Sequence, residues 1–165
     1  MLSLPEVGPA PDDDRVQLIL QPLSRVAVSY RNGLWNKADA AILPLTLATL
    51  ERTVFERQGP IYGWKFFNTS VEEDFAPWSH RLSLDVEFEG RRGQAENTLN
   101  LSQDNDPYLE IRIWFGELRI FDPNRNEMSL ESFIAGGRRW WDGLYSGDER
   151  TRGAGIVLLK SDREE

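Results

Sequence analysis

Strict alternation of apolar and polar side chains is the feature that most constrains the fold of this 165-residue chain. Leu82, Leu84, Val86 and Phe88 alternate with serine, aspartate and glutamate residues, so one side of an extended segment is apolar and the other is polar. A period of two residues is typical of a β-strand with one face buried and one face in solvent. The segment therefore predicts a half-buried strand.

Other short apolar runs predict further strands of the same sheet. The Asn32-Gly33 pair favours a turn that ends one strand, and the segment 90–93 predicts a turn back into a strand at Leu99 and Leu101. The predicted strands are residues 16–20 and 25–30 (or one strand bent at Pro22), 61–67, 82–88, 99–101 and, at an edge, 156–159.

A second hairpin is predicted around Gly116-Glu117. Residues 109–115 alternate up to this pair and residues 118–120 alternate away from it, and a two-residue loop that begins with glycine fits a type II′ turn. In that register Trp114 lies opposite Arg119, close enough for a cation–π contact.

Two segments have the spacing of amphipathic helices. Residues 43–58 place leucine and valine side chains on one face, and residues 129–145 begin at Ser129, a good N-cap. Gly136 and Gly137 inside the second helix each cost roughly 1 kcal/mol relative to alanine, so we expect the helix to approach the sheet closely there. The core stripe of this helix is predicted to be Leu130, Phe133, Ile134, Gly137, Trp141, Leu144 and Tyr145.

These elements together predict an α+β fold. It contains a mostly antiparallel sheet of about six to eight strands, with the two main helices packed on one face. The polar segment 68–79 is predicted to be a loop. The chain is interpreted as a single domain over residues 15–160, preceded by a flexible segment, 1–14, and followed by a flexible tail, 161–165.

Composition excludes several classes of function. The chain has no cysteine, which removes disulfides, thiolate metal sites and cysteine nucleophiles. It has no signal peptide and no apolar run long enough to span a membrane, so a cytoplasmic protein is expected. The net charge of −8 disfavours nucleic acid as a partner and is compatible either with a basic protein partner or with solubility alone.

The candidate binding residues combine carboxylates, arginines and surplus aromatic rings. Asp85 and Glu87 lie two apart on a strand and share a face. His80 is the one histidine, so no metal site and no cofactor are predicted. The six tryptophans exceed what the predicted core explains, and tryptophan is enriched at binding hot spots. The predicted binding residues are Trp78, His80, Asp85, Glu87, Trp114, Arg119, Arg138, Arg139 and Trp140, and no catalytic residue is predicted.

Three functions compete. The favoured one is a non-enzymatic protein-interaction domain, by analogy of composition a small bacterial inhibitor or immunity-type protein, which acts as a monomer or homodimer through an acidic, tryptophan-containing surface. The alternative is a small-ligand binder or enzyme with a cleft between sheet and helices, lined by carboxylates, His80 and tryptophans such as Trp64. Anion or nucleic-acid binding through the arginines near Trp140 ranks last, because the net charge opposes it.

Overall fold

The fold is taken from a computed structural model of the chain. It describes residues 2–3, 15–37, 39–56, 61, 63–67, 72–89, 97–122 and 124–147. The predicted strand 156–159 and most of the two predicted flexible ends lie outside these residues. The chain forms two compact units, one of residues 20–117 and the other of residues 1–19 with 118–165.

The described residues form a mostly antiparallel sheet with helices, which confirms the predicted α+β class. The strands are β1 (Leu2–Ser3), β2 (Arg15–Asn32), β3 (Ala41–Ile42), β4 (Gly63–Phe67), β5 (Leu84–Glu87), β6 (Asn97–Gln103), β7 (Tyr108–Phe121) and β8 (Glu127–Met128). The helices are α1 (Leu47–Glu56), α2 (Glu72–Ser79) and α3 (Leu130–Ser146).

Within the unit of residues 20–117, β2 and β7 are the central strands. β2 neighbours β7, which is followed by β6 and then β4, while β3 and β5 also pair with β2. The predicted hairpin between the strand at 82–88 and the strand at 99–101 is wrong, because β5 pairs with β2 and β6 lies between β4 and β7. Alternation identified both strands correctly but carries no information on their partners.

The predicted hairpin at Gly116-Glu117 is also wrong, since β7 continues through both residues. Gly116 serves a different purpose there: a Cβ atom at this position would lie 3.0 Å from Cδ of Pro22 on β2. The glycine marks a close approach of two strands and not a turn. Trp114 and Arg119 therefore lie five residues apart on one strand and do not face each other across a hairpin.

The apolar face of the sheet in this unit carries the core. Val26 and Val28 of β2 pack with Leu109 and Ile111 of β7 and with Leu45. Partly buried side chains that pack against this cluster include Leu50 and Val54 of α1, Leu84, Leu101 and Ile113.

Helix α1 is shorter than the predicted helix 43–58, since it begins at Leu47 after the capping residue Thr46. Thr46 and Thr49 bond to each other at this N-terminus, where Thr49 Oγ1 accepts a hydrogen bond from the Thr46 N–H at 3.1 Å. Leu43 and Leu45 lie before the helix and make other contacts. The Leu43 N–H donates a hydrogen bond to Tyr30 O, and the Leu45 side chain is buried in the core.

The segment 68–79, predicted to be a loop, contains helix α2. The helix is short and mostly polar, so its sequence shows no helical repeat of apolar residues. It presents Phe75 and Trp78, three residues apart, on the same side. Both rings contact the polar face of the sheet, as described below.

The other unit contains α3, whose bounds agree closely with the predicted helix 129–145. Ser129 is the N-cap, because its Oγ accepts a hydrogen bond from Ser132 N–H at 3.1 Å. The expected close approach at Gly136 and Gly137 is not found: within the described residues, a Cβ at Gly137 would meet nothing within 4 Å, and one at Gly136 would meet only an arginine side chain. In the same unit β7 pairs with β8.

Candidate functional site

Four of the predicted binding residues meet on the polar face of the sheet in the unit of residues 20–117. Asp85 and Glu87 of β5, Trp114 of β7 and Trp78 of α2 all belong to one network of contacts. The network is organised by Arg25, which projects from β2 beside the two carboxylates.

Arg25 makes contacts of two kinds. Its guanidinium donates two hydrogen bonds to Asp85, from Nε at 2.8 Å and from Nη2 at 2.6 Å, and lies 3.8 Å from Glu87 Oε1. Its Cζ also lies 4.2 Å from the centre of the Phe75 ring and 5.3 Å from that of Trp114. The hydrogen bonds to Asp85 raise the pKa of Arg25, so the guanidinium stays charged.

Trp78 is anchored by a second carboxylate, Glu110. Trp78 Nε1 donates to Glu110 Oε2 at 2.9 Å, and the ring lies under Arg112 at 4.5 Å. Glu110 also accepts hydrogen bonds from Asn100 Nδ2 at 3.2 Å and from the Tyr108 hydroxyl at 3.3 Å. Trp78 is 6% exposed, so its ring is a packing element that fixes α2 to the sheet.

These contacts show that the predicted binding residues of this cluster have partners within the protein. The carboxylates of Asp85 and Glu87 are paired with Arg25, and Trp78 has its N–H bonded. Such pairs hold a helix on a polar sheet face, where cation–π and ion-pair contacts replace an apolar interface.

The remaining predicted residues lie apart from this cluster. His80 is exposed at the end of α2, where its Nε2 accepts a hydrogen bond from Arg81 Nε at 3.1 Å. In the other unit, Arg119 forms two 2.8 Å hydrogen bonds to Glu127. Arg138 and Arg139 are exposed on α3, and the side chains of Trp140 and Trp64 lie outside the described residues.

The most exposed tryptophan in the described part of the chain is Trp35, which is not among the predicted binding residues. Trp35 is 62% exposed and its neighbour Leu34 is 52% exposed, on the loop that follows β2. Two adjacent apolar side chains that are exposed on a loop do not contribute to the core. Their presence therefore favours contact with another molecule. Trp35, Leu34 and the exposed carboxylates Asp39, Asp104 and Asp106 are called the Trp35 patch below.

The loop under Trp35 is held by Arg31, the last but one residue of β2. Arg31 is only 3% exposed. Its Nη1 donates to the carbonyl of Lys37 at 3.2 Å, and its Nη2 donates to the carbonyl of Trp35 at 3.4 Å. The guanidinium lies over the ring of Tyr108, 5.1 Å from its centre. One buried side chain thus fixes two carbonyls of the loop.

Backbone geometry closes the same loop. Gly33 has φ of +134°, in the region that favours glycine, and a Cβ there would lie 2.7 Å from Cδ of Lys37. Lys37 N–H donates to Leu34 O at 3.1 Å, which forms a tight turn that carries Trp35. The loop is therefore well ordered by its own hydrogen bonds.

Two acidic residues of a neighbouring turn lie at the same end of the sheet. Tyr108 N–H donates to Gly33 O at 3.0 Å, so the turn that precedes Tyr108, with Asp104 and Asp106, lies beside the start of the Trp35 loop. Burial raises the pKa of Tyr108, and the negative charges of Glu110 and Asp104 raise it further. The hydroxyl therefore stays protonated and continues to donate to Glu110.

Sequence reasoning did not select Leu34 or Trp35 as binding residues. The available signal was an apolar pair within a polar segment directly after the Asn32-Gly33 turn. The structure also corrects the predicted core stripe of α3: Phe133 is buried, but Leu130, Ile134, Trp141 and Tyr145 are 55%, 43%, 45% and 52% exposed.

A small, partly open cavity lies beside α1 in the unit of residues 20–117. Its volume is about 10 Å³, and it is lined by Val54, Ile61, Leu101, Ser102, Gln103, Leu109 and Ile111. This is room for about one water molecule and is too small for a metabolite.

Two kinds of feature are absent from the described residues. These residues contain no group of three or more histidine, aspartate or glutamate side chains placed to hold a metal ion. None of their helices is long and apolar enough to cross a membrane. Comparison with protein-family models, curated proteins and solved structures finds no match to this chain.

Proposed function

We propose that this protein is a non-enzymatic protein-binding domain and that the Trp35 patch is the surface that contacts its partner. The observation that carries the proposal is the 62% exposure of Trp35 on a loop fixed from beneath by buried Arg31. An exposed tryptophan on an ordered loop is the usual anatomy of a binding hot spot.

Order in the loop favours tight binding for a thermodynamic reason. A flexible loop loses conformational entropy when it binds, and that loss subtracts from the affinity. Here the hydrogen bonds from Arg31 to the carbonyls of Trp35 and Lys37 hold the backbone before any partner arrives. The indole can then be buried against a partner at little further entropic cost.

The charge around Trp35 indicates what kind of partner fits. Three carboxylates, Asp39, Asp104 and Asp106, are exposed in the patch beside one lysine, Lys37. The whole chain carries a net charge of −8. Both facts favour a protein with a basic surface, because complementary charge speeds association and discriminates against acidic partners. A small inhibitor or immunity-type protein that covers a basic target is the specific role this supports.

The test is affinity capture with the full chain from a lysate of its source. Wild type, Trp35→Ala, the double variant Asp104→Asn with Asp106→Asn, and the control Phe55→Ala are compared. Phe55 is 68% exposed on α1 and lies outside the patch. We expect one basic protein to be retained by wild type and by the control, to be lost with Trp35→Ala, and to be retained less well by the double variant.

Two results would contradict the proposal. One is that no protein is retained specifically by the wild-type chain. The other is a partner retained equally by wild type and Trp35→Ala, which would place the binding surface elsewhere. Circular dichroism of each variant checks that the fold is kept.

A further inference from the structure

A continuous row of buried contacts joins helix α2 to the loop that carries Trp35, within one compact unit of the chain. The Trp35 carbonyl accepts a hydrogen bond from Arg31 Nη2, and the Arg31 guanidinium lies over the ring of Tyr108. The Tyr108 hydroxyl donates to Glu110 Oε2, and the same oxygen accepts a hydrogen bond from Trp78 Nε1 of α2. The side chains of Arg31, Tyr108 and Glu110 therefore connect the loop to the helix.

Tyr108 occupies the middle of this row and is held from both sides. Its ring contacts the Arg31 guanidinium, and its hydroxyl is bonded to Glu110 at 3.3 Å. Arg31 is 3% exposed and Tyr108 is 8% exposed, so little water reaches these contacts to replace them. A displacement of Glu110 is therefore expected to move the ring that supports Arg31, whose hydrogen bonds hold the loop.

Helix α2 is held on the sheet by polar and cation–π contacts. It has eight residues, fewer than an isolated helix needs to be stable in water, so its order depends on docking. Trp78 donates its hydrogen bond to Glu110 and lies under Arg112, and the Phe75 ring packs on the Arg25 guanidinium at 4.2 Å. Loss of the Trp78 hydrogen bond, or of helical structure in α2, should therefore release the helix.

Polar atoms on the sheet face beneath α2 favour this release. Thr98 and Asn100 of β6 lie opposite Trp114 and Arg112, the two β7 residues whose side chains contact the rings of α2. Thr98 Oγ1 and Asn100 Oδ1 are buried and have no hydrogen-bond partner within the described part of the chain. A buried polar atom without a partner is unfavourable, and water can pair with both atoms once the helix leaves. This gain offsets part of the contact energy that release of α2 loses.

We propose that α2 regulates the Trp35 patch by exchanging between two states. In the docked state, α2 holds the loop in place through Glu110, Tyr108 and Arg31, and in the released state the loop loosens. This inference rests on the proposed function in one respect, because regulation of binding requires the patch to be the partner surface. By thermodynamic linkage, a partner that selects the ordered loop stabilises docked α2 by the same factor.

The coupling is a property of the free chain, so hydrogen exchange of single amides measures it without a partner. The Lys37 amide closes the turn that carries Trp35 and reports the loop. The Arg81 amide donates to Trp78 O at the end of α2 and reports the helix. The Phe88 amide, which is bonded to β2, is the reference within the same unit.

Two substitutions loosen α2 in different ways. Ala76→Gly lowers helix propensity at an exposed position, and Trp78→Phe removes the N–H that donates to Glu110. For both we expect faster exchange at Arg81 and at Lys37, by about twofold to thirtyfold, relative to the reference amide. Val54→Ala is the control, because it weakens the apolar core on the other face of the sheet and should leave the relative exchange of Lys37 unchanged.

Tyr108→Phe tests the route, because it keeps the ring under Arg31 and removes the hydroxyl that donates to Glu110. In this background Ala76→Gly should still accelerate exchange at Arg81 but should no longer accelerate it at Lys37. The inference is overturned if exchange at Lys37 ignores the loosening of α2, if it still responds in the Tyr108→Phe background, or if neither substitution accelerates Arg81. Any of these results leaves the partner proposal standing, whereas failure of affinity capture leaves the exchange of the free chain unaffected.

Discussion

The guanidinium carbon of Arg31 lies 5.1 Å from the centre of the Tyr108 ring. Both side chains are buried, and each is also tied to a different neighbour: Arg31 to the carbonyls of the Trp35 loop and Tyr108 to Glu110. This pair connects the exposed loop at the end of β2 to the network that anchors α2. The backbone of the proposed binding surface is therefore held by buried residues beneath the exposed loop.

Replacement of Arg31 should loosen the Trp35 loop and weaken the fold. Arg31→Met leaves two loop carbonyls without their donors, and we expect the free energy of unfolding to fall by roughly 2–3 kcal/mol. Hydrogen exchange of the amides of residues 33–37 should accelerate. Arg119→Met is the matched control: its side chain and that of its partner Glu127 are both exposed, so we expect a much smaller loss. Equal effects of the two variants, measured by urea unfolding, would show that Arg31 does not organise the loop.

Glu110 should be the most sensitive carboxylate of the polar sheet face. Glu110→Gln removes one of two oxygens that accept hydrogen bonds from Trp78, Asn100 and Tyr108, and we expect a loss of roughly 1.5–3 kcal/mol of stability. Glu87→Gln, at a side chain 45% exposed, should cost less than about 1 kcal/mol. Denaturant unfolding of both variants checks the difference, and a smaller loss for Glu110→Gln than for Glu87→Gln would contradict it.

Two glycines of the α3 region should respond in opposite directions. Gly136→Ala should stabilise the chain by up to about 1 kcal/mol, because the nearest atom to the new Cβ is the flexible Arg139 Nη2 at 3.8 Å. Gly147→Ala should destabilise it by roughly 1 kcal/mol, because Gly147 ends the helix with φ of +74°. Thermal unfolding distinguishes them, and shifts of the same sign would be inconsistent with these backbone conformations.

Acid should remove the stabilising effect of the turn between β7 and β8. Hydrogen bonds from the Asn126 side chain and backbone N–H lower the pKa of Asp122 below its ordinary value, and those from Arg119 lower the pKa of Glu127. A pKa depressed by folding contributes stability above the unfolded value, about 4, and that contribution is lost as pH falls through the folded value.

Unfolding of wild type and Asp122→Asn across this pH range measures the effect. We expect the difference in their free energies of unfolding to be largest near neutral pH and to shrink in acid below about pH 4. A difference that stays constant with pH, or an ordinary pKa for Asp122 by NMR titration, would contradict the prediction.

Local patterns in the sequence predicted where strands and helices occur but not which strands pair. β5 and β6 were both anticipated from alternation, yet their partners depend on distant residues such as Val26 and Ile113. Apolar side chains occupy odd-numbered positions up to Phe115 and even-numbered positions from Leu118 to Ile120, and this change of phase predicts a turn. In the structure it marks the point where β7 passes from one compact unit to the other, and each residue is buried at 2% exposure.

The candidate site was predictable in part and for identifiable reasons. Asp85 and Glu87 do share a face, as the period of a strand requires, but their partner Arg25 is 60 residues from Asp85 along the chain. Trp35 was recognised only as a tryptophan in excess of the core. The loop that carries it is held by Arg31, which also contacts Tyr108 on a strand distant along the chain, and such a contact leaves no local pattern in the sequence.

Site-specific photo-cross-linking in cells of the source organism tests the central claim most directly. A benzophenone amino acid is introduced at Leu34, which is 52% exposed within the Trp35 patch, or at the control Phe55, which is 68% exposed and lies outside it. The account predicts one cross-linked adduct with a basic protein from position 34, which disappears when Trp35→Ala is added and is absent from position 55. Adducts of equal yield from both positions, or none from position 34, would contradict the claim that this patch binds a protein partner.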